Sequence, residues 1–190
     1  MSNILIFHGT GGRPEEGWFP WLKTELEAKG HSVSVPAFPT PEGQSLESWL
    51  EVLKAYEDKI NADSILIGHS LGGLFLLRVL ERLQKKVKAA IFVGATIGVR
   101  PIKFYEGDEK FSGFNFDWDA IRTKAAQFLV FHSDNDPYVC IGNGEQLAKQ
   151  LGVSLTFIPN AGHFNAAAGY TKFERLLKEV LAISGAPGRN

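Results

Sequence analysis

The chain has a single cysteine, Cys140, so no intramolecular disulfide can form. That favours a reducing compartment. No apolar run approaches the ~20 residues that a bilayer span requires. Nor does a basic segment with a cleavage-like site precede the apolar stretch that opens at Asn3, so no signal peptide is visible. The expected location is the cytoplasm, with no membrane partner. Charge of either sign is not in excess: 20 Lys and Arg stand against 21 Asp and Glu, which excludes the basic footprint of a nucleic-acid binder. Repeats, low-complexity tracts and interdomain linkers are also missing, so residues 1–190 read as one domain, long enough to bury a substantial core. His-x-His and His-Glu-x-x-His spacings do not occur, and no metal or other cofactor is expected.

What is present is an alternation of strand and helix signals. Short apolar runs lie at Asn3–Phe7, Ser32–Val35, Ile65–Ile67, Val87–Val93, Gln127–Phe131 and Ser154–Ile158. Amphipathic stretches at Trp18–Lys29, Ser45–Ile60, Leu74–Leu80, Asp117–Lys124, Ile141–Leu151 and Thr171–Ile183 read as helices, and Ser184–Asn190 as a fraying end. The strand runs are apolar on both faces. Together these features predict an α/β fold: a mostly parallel sheet of about six strands with helices on both faces. Residues 94–116 read as a long irregular segment rich in aromatic side chains.

The stretch organising the chain is Gly68-His69-Ser70-Leu71-Gly72, a Gly-x-Ser-x-Gly pattern between a strand and a helix. In that setting the serine hydroxyl stands clear of the backbone at the sheet's C-terminal edge. A Cβ at Gly68 or Gly72 would crowd the turn. The helix that follows aims its first N–H groups toward charge developing beside Ser70. His69, inside the turn, is expected to pack and hydrogen-bond rather than react.

A serine hydroxyl needs a base, and the base needs an orienting acid. Strand C-terminal ends converge on one edge of a parallel sheet. Ser70 follows the third strand, Asp134 and Asp136 the fifth, and His163 the sixth, which gives the chain order Ser, Asp, His. Either aspartate could reach a histidine in principle. Oxyanion donors are expected from the Leu71 N–H and from the loop His8-Gly9-Thr10-Gly11-Gly12, at Thr10. That loop is not a dinucleotide fingerprint, because Pro14 stands where the third glycine belongs.

These residues resemble a known group: the small serine hydrolases of the α/β-hydrolase superfamily, of the retinoblastoma-binding-protein-9-like and YdeN-like type. The likeness runs nearly end to end. It includes the Gly-rich loop with Trp18 and Trp21-Leu22-Lys23, then Gly68-His69-Ser70, and Ser112-Gly113-Phe114 leading to Trp118. It continues with Ser133-x-x-Asp136-Pro137-Tyr138-Val139 and closes on Gly162-His163-Phe164. The resemblance implies a Ser70, Asp136, His163 triad and a three-layer fold without a large lid domain. The Leu-x-Cys-x-Glu motif through which some members bind a pocket protein is missing, so that partner is not expected. Pro137, directly after Asp136, limits where that carboxylate can point, while Asp134 is placed to cap the turn.

The activity expected is hydrolysis of an ester or related acyl bond in a small-molecule substrate, through an acyl-enzyme on Ser70. An aminopeptidase-like amide hydrolase and an interaction protein with an idle site are the alternatives. Phe104, Phe114 and Trp118 are the expected substrate contacts. With so many rings nearby, a neutral, apolar acyl group is expected to be preferred over a charged one.

Overall fold

The computed structural model describes residues 1–185. In chain order the elements are β1 (Asn3–Phe7), α1 (Phe19–Glu27), β2 (Ser32–Ser34), α2 (Leu46–Lys54), β3 (Ile65–His69), α3 (Leu71–Arg82) and β4 (Val87–Val93). They continue with α4 (Tyr105–Ser112), α5 (Trp118–Thr123), β5 (Ala125–His132), α6 (Gly142–Leu151), β6 (Leu155–Phe157) and α7 (Glu174–Ser184). All six strands pair in parallel in the order β2-β1-β3-β4-β5-β6.

Alternate side chains of each strand enter different cores. Ile4 and Ile6 of β1, with Ile65 and Ile67 of β3, face Leu22 and Leu26 of α1 and Leu176 and Val180 of α7. Leu5, Phe7 and Leu66 face the other way, toward Trp49 of α2, Leu74 and Leu77 of α3 and Leu147 of α6. Burial on both sides explains why the strands read as continuous apolar runs. The result is three layers, helix, sheet and helix.

The chain leaves β1 for β2 on one side, then returns to β3 on the other. Connections splay apart where the order reverses, and a crevice opens at the carboxyl ends of β1 and β3. The Gly-rich loop and the serine turn border that crevice.

Several boundaries differ from the sequence reading. The expected helix Ser45–Ile60 ends at Lys54 and resumes as a 3₁₀ turn at Glu57–Lys59. Its start is fixed by a reciprocal Ser45–Ser48 capping box, but Glu57, Asp58 and Lys59 bring no apolar residue to hold the last turns on the sheet. Helix α7 begins at Glu174 rather than Thr171, since Phe173 has a non-helical backbone and packs its ring on Phe131 and Phe164. Residues 94–116 are not wholly irregular: they contain α4, whose Phe111 inserts against Trp49 and Phe75. Of the expected frayed end, Ser184 closes α7, and residues 186–190 lie outside the described residues. Among the described residues no helix is long and apolar enough to cross a membrane.

Candidate active site

Strand β3 delivers Ser70 into a sharp turn. Its φ of 57° and ψ of −125° lie in a region that costs an L residue strain, the backbone signature of a nucleophile elbow. The turn survives because its neighbours have no side chain. A Cβ on Gly68 would sit 2.5 Å from the Gly72 carbonyl oxygen, and one on Gly72 would sit 2.1 Å from that of Phe7. Gly9 of the loop after β1 approaches equally closely, since a Cβ there would lie 2.7 Å from the Ser70 Cβ. The Gly-rich loop is therefore pressed onto the serine.

The structure brings together His163 and Asp136, not Asp134. His163 Nδ1 lies 2.6 Å from Asp136 Oδ2, and both side chains are almost wholly buried. The other carboxylate oxygen, Oδ1, accepts hydrogen bonds from the Tyr138 and Val139 N–H groups at 2.8 and 3.0 Å. Burial by itself would raise the Asp136 pKa. The His163 hydrogen bond and charge, with the two backbone donors, outweigh it and hold the carboxyl below its ordinary value. Asp136 thus stays ionised and aims one oxygen at the imidazole. Gly94, in left-handed conformation at the end of β4, supplies the floor: a Cβ there would meet both Asp136 Oδ2 and His163 Nδ1 at 3.4 Å.

Asp134 has a different task. Its Oδ1 accepts from the Asn160 N–H at 2.8 Å, while Ser133 Oγ and Asn135 Oδ1 accept from the Ala161 and Gly162 N–H groups at 2.9 and 2.7 Å. Three consecutive side chains after β5 thereby hold three consecutive N–H groups ahead of His163. Beyond the backbone N–H groups of its own turn, the Asp134 carboxylate crosses to the neighbouring loop, a contact the sequence reading did not foresee.

Two ring donors hold the far side of that loop. His69 Nε2 donates to the His163 carbonyl at 2.8 Å, and Trp18 Nε1 to the Phe164 carbonyl at 2.9 Å. Burial, reinforced by the His163 charge, drives the His69 pKa down to about 3, so its ring stays neutral. Burial also lowers His8, which accepts from the Phe38 N–H through Nε2 and, through Nδ1, donates to the Gly9 carbonyl. The sequence marked Trp18 only as part of a resemblance. Nothing local signals that it reaches Phe164.

Ser70 and His163 line one cavity of about 570 Å³, with Thr10, Trp18, Ile102, Phe104 and Tyr138 among its walls. Ser70 Oγ makes no hydrogen bond to His163 here, and in empty sites such contacts often tighten only around substrate. Of the loop N–H groups, Gly11 bonds Thr40 Oγ1 and Gly12 bonds the Gly9 carbonyl, while Thr10 has no partner among the described residues. Leu71 opens α3, so its N–H has no intrahelical acceptor.

Of the three aromatic side chains expected to touch substrate, Phe104 lines the cavity, and Phe114 and Trp118 do not. Phe114 lies over Gly98 and packs beside Tyr105, and Trp118 packs on Phe116, which stacks under the Arg78 guanidinium. Their apolar surface is spent on the core beside α3. Among the described residues no cluster of three or more His, Cys, Asp or Glu side chains is arranged to hold a metal.

The family model described as serine hydrolase matches residues 4–182. The chain belongs to the serine hydrolase family. YdeN of Bacillus subtilis (strain 168) is 29% identical over 170 residues, covering 90% of each chain. Serine hydrolase RBBP9 of Rattus norvegicus is 26% identical over 190 residues, 96% of this chain and 95% of its own. A protein named Carbendazim hydrolyzing esterase, from Nocardioides sp. (strain SG-4G), is 28% identical over 107 residues, 51% of this chain and 43% of that one. The solved structure of the B. subtilis ydeN gene product superposes with a TM-score of 0.90 at 28% identity, covering 97% of this chain and all of the other. This serine hydrolase is therefore an α/β hydrolase of the YdeN and RBBP9 type.

Proposed function

We propose that this serine hydrolase cleaves an ester bond through an acyl-enzyme on Ser70. Ser70 Oγ attacks the acyl carbonyl as His163 Nε2 takes its proton. Asp136 fixes the imidazole with Nδ1–H toward the carboxylate and stabilises the imidazolium that forms. The Thr10 and Leu71 N–H groups receive the oxyanion. Collapse breaks the bond to the leaving alkoxide, which takes the proton from His163. Water then attacks the acyl carbon by the same route and releases the acid, leaving Ser70 free.

One observation carries this reading: the 2.6 Å contact between His163 Nδ1 and an ionised Asp136, in the wall of the cavity that also exposes Ser70. Supporting it are the free Thr10 N–H beside committed neighbours and a relative named as an esterase. The test is a fluorophosphonate probe followed by intact-mass and peptide mapping, with Ser70→Ala as control, alongside a panel of esters, thioesters and aminoacyl arylamides. A single adduct on Ser70 and fastest turnover of an ester are expected. No adduct on folded protein would refute the proposal, and faster amide cleavage would replace the ester with an amide.

A further inference from the structure

Asp108 is indistinguishable from a surface charge in the sequence, flanked by Glu106, Glu109 and Lys110. The structure buries it. On the inner face of α4 it is 5% exposed and forms part of the wall of the Ser70 cavity. Its N–H is used within the helix start, bonding the Phe104 carbonyl. Its carboxylate has no ion pair and accepts no backbone N–H among the described residues. A carboxylate so nearly buried gains from any cation that arrives to pair with it.

The surroundings restrict what could arrive. Among the described residues no lysine or arginine lines the cavity, and its one other carboxylate is that of the exposed Glu16. Arg100 and Lys103 line the adjoining groove, whose wall Asp108 shares, but both heads are engaged on rings: Arg100 stacks on Tyr105 and Lys103 lies over the Phe104 and Tyr138 rings, and neither forms an ion pair with Asp108. An anionic ligand would meet like charge with no counterion. A purely apolar one would cover the carboxylate without satisfying it. Two hydroxyl oxygens, Thr10 Oγ1 and Thr96 Oγ1, are buried without a hydrogen-bond partner among the described residues, and Thr96 lies beside the Asp108 carboxyl. An ammonium group carries three N–H donors and no acceptor, which complements a carboxylate that has no ion pair.

We propose that Asp108 is the specificity-determining residue of this cavity and receives a primary ammonium group carried on the acyl chain of the substrate. The proposal deepens the serine-hydrolase reading and rests on it for the position of the acyl carbon. The Thr96 hydroxyl turns its proton toward the ionised carboxylate. The aromatic wall at Phe104 and Tyr138 accommodates the methylenes between ammonium and carbonyl. Burial raises the Asp108 carboxyl to about 7, opposed only weakly by Thr96, so an arriving cation finds a group ready to ionise near neutral pH. The apolar preference expected from sequence is thereby revised: the cavity rejects anions, but it selects a cation rather than a neutral chain.

The decisive experiment compares aryl esters of ω-amino acids, from glycyl to aminohexanoyl, each with its methyl-terminated isostere, on the wild type, Asp108→Asn and Asp108→Leu. In the wild type, kcat/KM is expected to favour the amino ester by tenfold or more at one chain length. The ratio is expected to fall near one in Asp108→Asn and below one in Asp108→Leu. A ratio at or below one at every length in the wild type, or one that persists in both variants, overturns the proposal. Binding of propyl- to hexylammonium by calorimetry, against the matching alcohols, is read independently of turnover. An ammonium preference lost in both variants supports the assignment even if Ser70 fails to label, and its absence in labelled, active protein sinks the assignment while leaving the hydrolase intact.

Discussion

His69, the residue before Ser70, donates a hydrogen bond from Nε2 to the main-chain carbonyl of His163 at 2.8 Å, so the elbow itself holds the loop that carries the proposed base. Its ring is neutral across the ordinary pH range, because burial and the nearby His163 charge push its pKa to about 3. The link therefore does not switch with protonation. Replacing His69 with Phe keeps the ring volume and removes the donor, leaving a buried carbonyl unpaired. A loss of about 1–3 kcal/mol in unfolding free energy is expected. Turnover should fall through kcat, with KM nearly constant, as the imidazole loses its position. Urea denaturation and steady-state kinetics of His69→Phe check both, and unchanged kcat would remove His69 from the positioning network.

Asp136→Asn and Asp134→Asn separate orienting the base from holding its loop. In Asp136→Asn the amide oxygen can still accept from Tyr138 and Val139, so the NH₂ group is turned to His163 Nδ1. That favours the tautomer with its proton on Nε2, where the base must be free. A loss in turnover on the order of 10⁴ is expected, the scale known for amidating a triad aspartate. Asp134→Asn retains an acceptor for the Asn160 N–H and should cost less than about tenfold. The reverse ranking in folded variants would assign the orienting role to Asp134.

Gly94→Ala tests the floor under the Asp136–His163 pair. Its backbone is left-handed, with φ of 52°, so alanine there costs roughly 1–2 kcal/mol of stability before any contact is counted. The added Cβ would also come into van der Waals contact with Asp136 Oδ2 and His163 Nδ1, each 3.4 Å away, so a backbone shift that relieves the left-handed strain is passed directly to the pair. Gly152, with φ of 70° and nothing within 4 Å of a built Cβ, is the matched control. Both variants should lose similar stability, but only Gly94→Ala should lose activity, by about tenfold or more. Equal activities would show that the pair tolerates the intrusion.

The sequence disclosed those features whose physics is local or follows from strand order. Gly68, Ser70 and Gly72 announce a tight turn because only missing Cβ atoms allow it, and the order serine, aspartate, histidine follows from which strand end each trails, while Asp136 over Asp134 rested on Pro137 and on the family resemblance. Contacts between distant segments were hidden. Trp18 reaches Phe164 and His69 reaches His163 across 146 and 94 positions, and no spacing encodes such a meeting. Helix α4 was masked by Gly107 and by charges on its outer face, so Asp108 looked like its exposed neighbours. Phe114 and Trp118 misled for the opposite reason: an aromatic side chain in a connecting segment serves a core as readily as a cavity, and here α3 claims both.

Asp108 also makes a prediction about stability that needs no substrate. Its carboxyl titrates near 7 in the folded protein, against 3.8 as the ordinary value, because burial penalises the charged form. A carboxyl raised by folding binds its proton more tightly in the native state. It therefore costs nothing below the unfolded value, and stability is lost progressively as pH rises from about 4 through about 7. Asp108→Asn cannot ionise and escapes that loss. Relative to the wild type, the variant should gain stability across this window and hold the gain above it, by about 1–4 kcal/mol at most, since a tenfold change in proton affinity between the unfolded and folded states corresponds to about 1.4 kcal/mol. His8, His69 and His132, whose burial lowers their pKa values, lose stability on the acid side instead. They are common to both proteins and cancel in the difference. Urea unfolding of wild type and Asp108→Asn at about pH 5 and about pH 8 reads the effect directly. A stability difference that is the same at both values would show that Asp108 is already ionised in the folded protein at the lower pH, and would remove the cost on which an incoming ammonium is argued to act.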